Sequence, residues 1–276
     1  MSKNRPFVLS IAGFDPSGGA GVLADCKTFE QHQVYGLAII TANTIQTENE
    51  FYKLEWIDLN FVLESVEKLF ANHTIKAVKI GIVPSLHYLN EIVCRIKSLS
   101  PETTIIWDTV LKSSTGFDFL ATENQVLLTE ILQQVDLITP NYNEIVKFAT
   151  SSATADKIAE TLSQYCDVLL KGGHNPEALG VDYLYVQDRF FRLEPTNALT
   201  TEKHGSGCVL SASIVAKMAL DKAVQAQVDA GEISIEKGDE IKNNFRQTEG
   251  AVNTLTKLDI GEANQPVMVD LMIEQK

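Results

Sequence analysis

The sequence is short of cysteine, and the few it has lie far apart. Cys26, Cys94, Cys166 and Cys208 make no CxxC pair and no Cys/His cluster, which excludes a zinc site of ordinary ligand spacing and leaves no disulfide framework. Long apolar runs are missing too. The N-terminal run from Phe7 to Ala12 stops at Gly13 and Asp15, too short for a secretory core or a bilayer span. A cytoplasmic protein with no membrane partner is expected. Positive charge is scarce: 23 Lys and Arg stand against 36 Asp and Glu, a formal net charge of −13. That balance argues against nucleic acid or an anionic membrane as an electrostatic partner, so any phosphate must be held by a local site. Neither GxGxxG nor GxxxxGK[ST] occurs, which argues against a dinucleotide site and a P-loop. With no repeat, low-complexity tract or linker, residues 1–276 are expected to form one domain.

What is present is an alternation of short apolar runs with helical patterns, in a chain with 45% hydrophobic and 21% charged residues. The runs "FVLSIAG" (7–13), "GLAIITA" (36–42), "IKAVKIG" (75–81), "TTIIW" (103–107), "VDLITP" (135–140) and "DVLLKGG" (167–173) read as buried parallel strands. Apolar residues return every three or four positions over 19–33, 57–71, 85–98, 123–134, 142–149, 154–165 and 206–220, which predicts helices there. "DYLYVQDRFFRLE" (182–194) alternates around a polar turn and reads as an edge hairpin. The expected fold class is α/β, an open and mostly parallel central sheet with helices on both faces. In such sheets ligands collect outside the carboxyl ends of the strands.

The unusual motifs fall at those ends. "GFDPSGGAG" (13–21) is a glycine-rich turn opening the helix that carries Asp25, which reads either as a helix-stabilising carboxylate or as an acceptor for an amino group on a bound heterocycle. Gln46, expected in the loop after the second strand, can donate and accept on one ring edge. Asp108 follows the fourth predicted strand, where a metal-associated carboxylate would sit. Asn141 and Glu144, three apart on a first helical turn, read either as a capping box or as a magnesium and phosphate station. Lys171 ends a buried strand, where an ammonium calls for an anion.

The stretch "KHGSGCVLSAS" (203–213) completes the set. Gly205, Ser206 and Gly207 can turn successive N–H groups inward at a helix start and form an anion hole for a migrating phosphoryl group. Cys208 then sits where the helix dipole is expected to lower a thiol pKa and where a base is needed beside an attacking hydroxyl.

In order along the chain, "IAGFDPSGGAGVLADCKTF", "VYGLAIITANTIQTE", "KIGIVPS", "DTVLKSSTG", "LITPNYNE", "LLKGGH", "DYLY" and "HGSGC" resemble the hydroxymethylpyrimidine/phosphomethylpyrimidine kinases of thiamine biosynthesis, within the ribokinase-like superfamily. The resemblance implies a ribokinase-like fold and ATP- and magnesium-dependent phosphorylation of 4-amino-5-hydroxymethyl-2-methylpyrimidine, then of its monophosphate. It implies that Asp25 and Gln46 bind the pyrimidine, with Gly13, Ile82 and Val110 lining the pocket. Asn141, Glu144 and Lys171 would form the nucleotide and magnesium side, with Asp108 and Glu144 as metal carboxylates. Gly205 to Gly207 would be the anion hole and Cys208 the catalytic residue, in a chain expected to be a homodimer. Two places depart from the family pattern: Ser114 stands where a lysine is usual, with Lys112 two residues earlier, and the C-terminal part lacks a GxGPxxH-like close. Pyridoxal kinase is the rival activity on the same branch. A non-catalytic pyrimidine-binding protein is the rival of a different class.

Overall fold

A computed structural model of the chain describes residues 5–111, 124–149, 153–175, 177–195 and 204–242. In chain order the elements are β1 (Phe7–Phe14), α1 (Gly21–Gln31), β2 (Tyr35–Gln46), β3 (Phe51–Trp56), α2 (Leu59–Asn72), β4 (Ile75–Ile80), α3 (Leu86–Leu99), β5 (Thr104–Trp107) and α4 (Gln125–Leu132). They continue with β6 (Leu137–Ile138), α5 (Tyr142–Ile145), α6 (Ala155–Leu162), β7 (Asp167–Leu170), β8 (Asp182–Val186), β9 (Arg189–Leu193) and α7 (Ser206–Asp229). The strands form one sheet in the order β3-β2-β1-β4-β5-β6-β7-β8-β9. β2, β1, β4, β5, β6 and β7 run parallel, while β3, β8 and β9 pair antiparallel at the two edges.

Alternation along the strands assigns the two faces. Leu9, Ile11, Val78, Ile80, Ile105, Trp107, Val168 and Leu170 join a core with Val62 of α2, Leu89 and Ile92 of α3, Leu128 of α4 and Ile158 of α6. Val8, Ala77, Ile106, Leu137 and Leu169 point the other way, against Phe29 of α1 and Leu210 and Ile214 of α7. Each buried Val, Leu, Ile or Phe among them is worth roughly 2 kcal/mol of transfer free energy. Helix starts follow from side-chain caps: Asp58 Oδ1 accepts from Asn60 N at 2.9 Å before α2, and Ser85 Oγ from Tyr88 N at 3.2 Å before α3.

The strand order turns back between β1 and β4, and the helices that follow β1 and β2 lie on opposite faces. In open α/β sheets such a switch point is where ligands bind. Three local expectations change. The predicted helix at 142–149 is one α-turn followed by a 3-10 turn, Val146–Phe148. The last helix runs on to Asp229 instead of stopping at 220, because Ala and Val keep returning beyond Leu220. β3 is a strand absent from the sequence reading: "FYKLEW" has no fully buried residue, so its apolar signal is weak, and its pairing with β2 defines it.

Candidate active site

Five polar positions share the α1/α7 face of the sheet by the same alternation: Ser10 on β1, Lys79 on β4, Asp108 after β5, Thr139 after β6 and Lys171 after β7. Ser10 and Lys79 are register partners on adjacent strands. Around them stand the starts of α1, α5 and α7. The loop after β1 packs so closely that a Cβ on Gly13 would lie 2.5 Å from Ile82 Cδ1, so Ile82 covers the bare glycine backbone. Asp15, buried in that loop, accepts from Ser17 N and Ala20 N, each at 2.8 Å, and from Ser17 Oγ at 2.9 Å. His204 Nε2 donates to Asp15 Oδ2 at 2.9 Å, clasping this loop to the residue before Gly205. Burial would raise the Asp15 carboxyl, but His204, Ser17 and the Ala20 N–H hold it below the usual carboxylate range.

Gly205 caps α7 in the left-handed region at φ +79°, and no side chain caps the helix. A Cβ there would come within 1.8 Å of the Gly19 carbonyl oxygen, so the two glycine loops touch through backbone alone. The first-turn N–H groups of α7 have no partner within their own helix. Lys171 approaches that turn closely enough that a Cβ on Gly207 would sit 3.2 Å from its Nζ. The predicted anion hole therefore meets an ammonium group.

Behind the turn lies a buried charge cluster. Lys171 Nζ donates to Asp108 Oδ1 at 3.2 Å, and Thr139 and Ser211 hydroxyls donate to the same carboxylate at 3.0 and 2.8 Å. Burial opposes ionisation of Asp108, but Lys171 and Lys79 hold its carboxyl below the usual range. Lys79 forms an ion pair with Asp25 and lies 3.7 Å from Asp108 Oδ2. It also donates to the Cys208 carbonyl at 3.1 Å. Ser10 Oγ supplies the other Asp25 oxygen with a donor at 2.6 Å. Burial would pull the Lys79 ammonium down, but Asp25 and Asp108 push it up, so it remains charged.

Several expectations are refined here. Asp25 is a buried partner of Lys79 and Ser10, so any bound ring shares it with them. Gln46 lies on β2, opposite Phe51, rather than in a loop: it belongs to the β2/β3 ribbon that runs past the end of β1. The expected lowering of the Cys208 thiol pKa is overturned: burial pushes the thiol up, with Lys79 and the Gly21 N–H only partly countering it. Lys79, Asp108 and Asp25 nonetheless act on the thiol, and the Gly21 N–H donates to it. Asn141 and Glu144 form a true capping box: Asn141 Oδ1 accepts from Asn143 N and Glu144 N, each at 2.9 Å, and Glu144 Oε2 accepts from Asn141 N at 2.8 Å. Yet Glu144 is buried beside Lys171, and burial pushes its carboxyl above the usual range against the pull of that ammonium. The helix cap thus lies within the charge cluster. Val110 follows Asp108 and donates from its N–H to the Asp108 carbonyl at 2.8 Å. Lys112 and Ser114 lie outside the described residues, as does most of the C-terminal part. Among the described residues no group of three His, Cys, Asp or Glu could hold a metal ion by itself.

Comparison with known proteins matches the family model described as phosphomethylpyrimidine kinase over residues 15–254. The chain belongs to the phosphomethylpyrimidine kinase family. One relative in the family, the hydroxymethylpyrimidine/phosphomethylpyrimidine kinase of Aquifex aeolicus, is 35% identical over 217 residues, covering 75% of this chain and 84% of that protein. A phosphomethylpyrimidine kinase of Clostridium difficile 630 superposes with a TM-score of 0.65 at 28% identity, covering 86% of this chain and 96% of that one. The pyridoxal kinase of Staphylococcus aureus in complex with AMP-PCP gives a TM-score of 0.67 at 22% identity, over 78% of this chain and 81% of that one. That last likeness speaks to the fold, which is ribokinase-like as expected.

Sequence reasoning missed Lys79, Asp15, His204, Thr139 and Ser211. For Lys79 a signal was available: the argument that a buried strand should not hold an unmatched ammonium applies to "AVKIG" as it does to "LLKGG".

Proposed function

We propose that this chain transfers the γ-phosphoryl group of ATP to the primary alcohol of 4-amino-5-hydroxymethyl-2-methylpyrimidine, and then to the phosphate of the product. The observation that carries this reading is the meeting of Lys171 with the uncapped first turn of α7, beside Cys208 and within one buried cluster with Asp25. The acceptor oxygen bonds to the γ-phosphorus as the bond to the bridging oxygen breaks, and the electron pair leaves on ADP. Charge on the three phosphoryl oxygens is met by Lys171 and the amides from Gly205 to Gly207. Asp108 orients Lys171. Asp25 and Gln46 bind the aminopyrimidine edge, and Gly13, Ile82 and Val110 line the ring pocket. Magnesium bound with the ATP phosphates would supply charge neutralisation, and Glu144 of the Asn141/Glu144 corner would offer it a carboxylate. Asp108, met by two lysines and two hydroxyls, would be the second carboxylate serving that ion.

Cys208 takes the hydroxyl proton through its thiolate form, which Lys79 favours against burial. Because the transition state is loose, proton removal is the smaller contribution. Gly207→Val, which drives a side chain into the Lys171 ammonium, abolishes turnover, while Cys208→Ala retains a trace. With the thiol pushed up, wild-type kcat climbs as pH rises through the neutral range, and the Cys208→Ala residue of activity does not. Near-normal rates in both folded variants would defeat the assignment. Parallel assays with hydroxymethylpyrimidine and pyridoxal decide the ring: faster turnover of pyridoxal would replace the pyrimidine reading.

A further inference from the structure

Lys79 touches both halves of the proposed site. It projects from the middle of the sheet and is 1% exposed, yet α1, α7 and the end of β5 each send it an oxygen: an Asp25 carboxylate oxygen, the Cys208 carbonyl at 3.1 Å and Asp108 Oδ2 at 3.7 Å. An apolar residue of similar volume at this strand position would pack the α1/α7 face at no desolvation cost, and buried ion pairs of this kind are poor sources of stability. The position therefore asks for a role in arrangement. Asp25 belongs to the acceptor side, whereas the Cys208 carbonyl is the underside of the turn whose amides face the phosphoryl group. Ser211 closes the link, since its hydroxyl, 2.8 Å from Asp108 Oδ2, also lies 3.1 Å from the Cys208 carbonyl oxygen.

We infer that Lys79 is a positioning residue that ties the ring pocket to the phosphate site, fixing the distance between Asp25 and the first turn of α7 so that occupancy of one site favours the other. This rests on the kinase reading above. Asp25 cannot move toward a ring without moving the ammonium, and the ammonium cannot move without releasing the helix carbonyl.

The test is a pair of calorimetric titrations on the full chain, hydroxymethylpyrimidine alone and then with AMP-PCP and magnesium, in wild type and Lys79→Met. AMP-PCP is expected to tighten pyrimidine binding at least about fivefold in wild type, and this coupling is expected to vanish in Lys79→Met. kcat is expected to fall by about 10²-fold in the variant, the scale of a misplaced reacting group, while the Kd of AMP-PCP for the pyrimidine-free chain changes by less than about threefold, since the variant leaves Lys171 in place. Equal coupling in the two proteins, or none in wild type, overturns the inference and leaves the kinase reading standing. Failure of wild type to bind the pyrimidine or turn it over defeats the kinase reading first, and the inference with it. If Lys79→Met does not fold, Lys79→Met/Asp25→Asn removes the orphaned charge. Its kcat is then expected to lie at least about tenfold below that of Asp25→Asn alone, because the helix carbonyl remains unheld. Equal kcat values in those two overturn the inference.

Discussion

Single residues in this protein are held where their chemistry is least comfortable. Asp182 is buried at the start of β8 and accepts the Gly172 N–H at 2.6 Å. Burial raises its carboxyl to about 6, with the Gly172 N–H and Lys171 opposing. A raised folded pKa gives stability that is complete below the unfolded value near 3.8 and is lost as pH rises through about 6. Asp182→Asn should therefore gain on wild type between pH 4 and pH 7, by about 3 kcal/mol at most. Melting curves at both pH values check this, and an offset independent of pH would refute it. Gly205 is constrained by geometry instead of charge. Gly205→Ala meets a left-handed backbone and the Gly19 carbonyl oxygen together, at a cost of about 1–2 kcal/mol for the conformation before the clash is counted. The melting point and turnover of that variant are expected to fall together. An unchanged melting point would show that the two glycine loops are not in contact.

Elements carry function here through their ends. Two helix starts with the same chemistry make the comparison: Asp58 caps α2 on the far face, and Asn141 caps α5 beside Lys171. Removing either cap, as Asp58→Ala or Asn141→Ala, is expected to cost about 1 kcal/mol of stability. Asn141→Ala should also raise the KM for ATP, whereas Asp58→Ala leaves the kinetics alone. Matching kinetic profiles would mean that the α5 corner takes no part in nucleotide binding. The Asn-x-x-Glu spacing was legible as a cap or a phosphate station, and the fold makes the two compatible by setting the cap in the charge cluster. The β2/β3 ribbon went unread because its outer strand has almost no buried face, and Gln46 was assigned to a loop for the same reason.

At the scale of the molecule, one sheet serves two cores. Strands β1, β4, β5, β6 and β7 supply side chains to both clusters, so both helical layers depend on the same strands. A single calorimetric unfolding transition is expected, with tryptophan fluorescence and far-UV dichroism changing together. Two resolved transitions would divide the chain into separate domains. Among the described residues no helix is long and apolar enough to cross a membrane.

The sequence by itself determined the α/β class, the parallel strand runs, the helix caps and the glycine-bearing turns, because periodicity, capping and backbone freedom are local properties. It also carried the family, through ordered motifs that the family match over residues 15–254 bears out. Tertiary structure alone decided which polar residues are buried and whom they meet. Lys79 shares its strand phase with the buried Ala77, so the sequence could mark it as an ammonium in need of an anion but could not name the partners that α1 and α7 bring to it. Covering turns an ordinary lysine into the ion partner of Asp25 and Asp108, and it drives the Cys208 thiol up where the helix dipole alone would have drawn it down. Burial is a property of the assembled layers, which no stretch of residues encodes on its own.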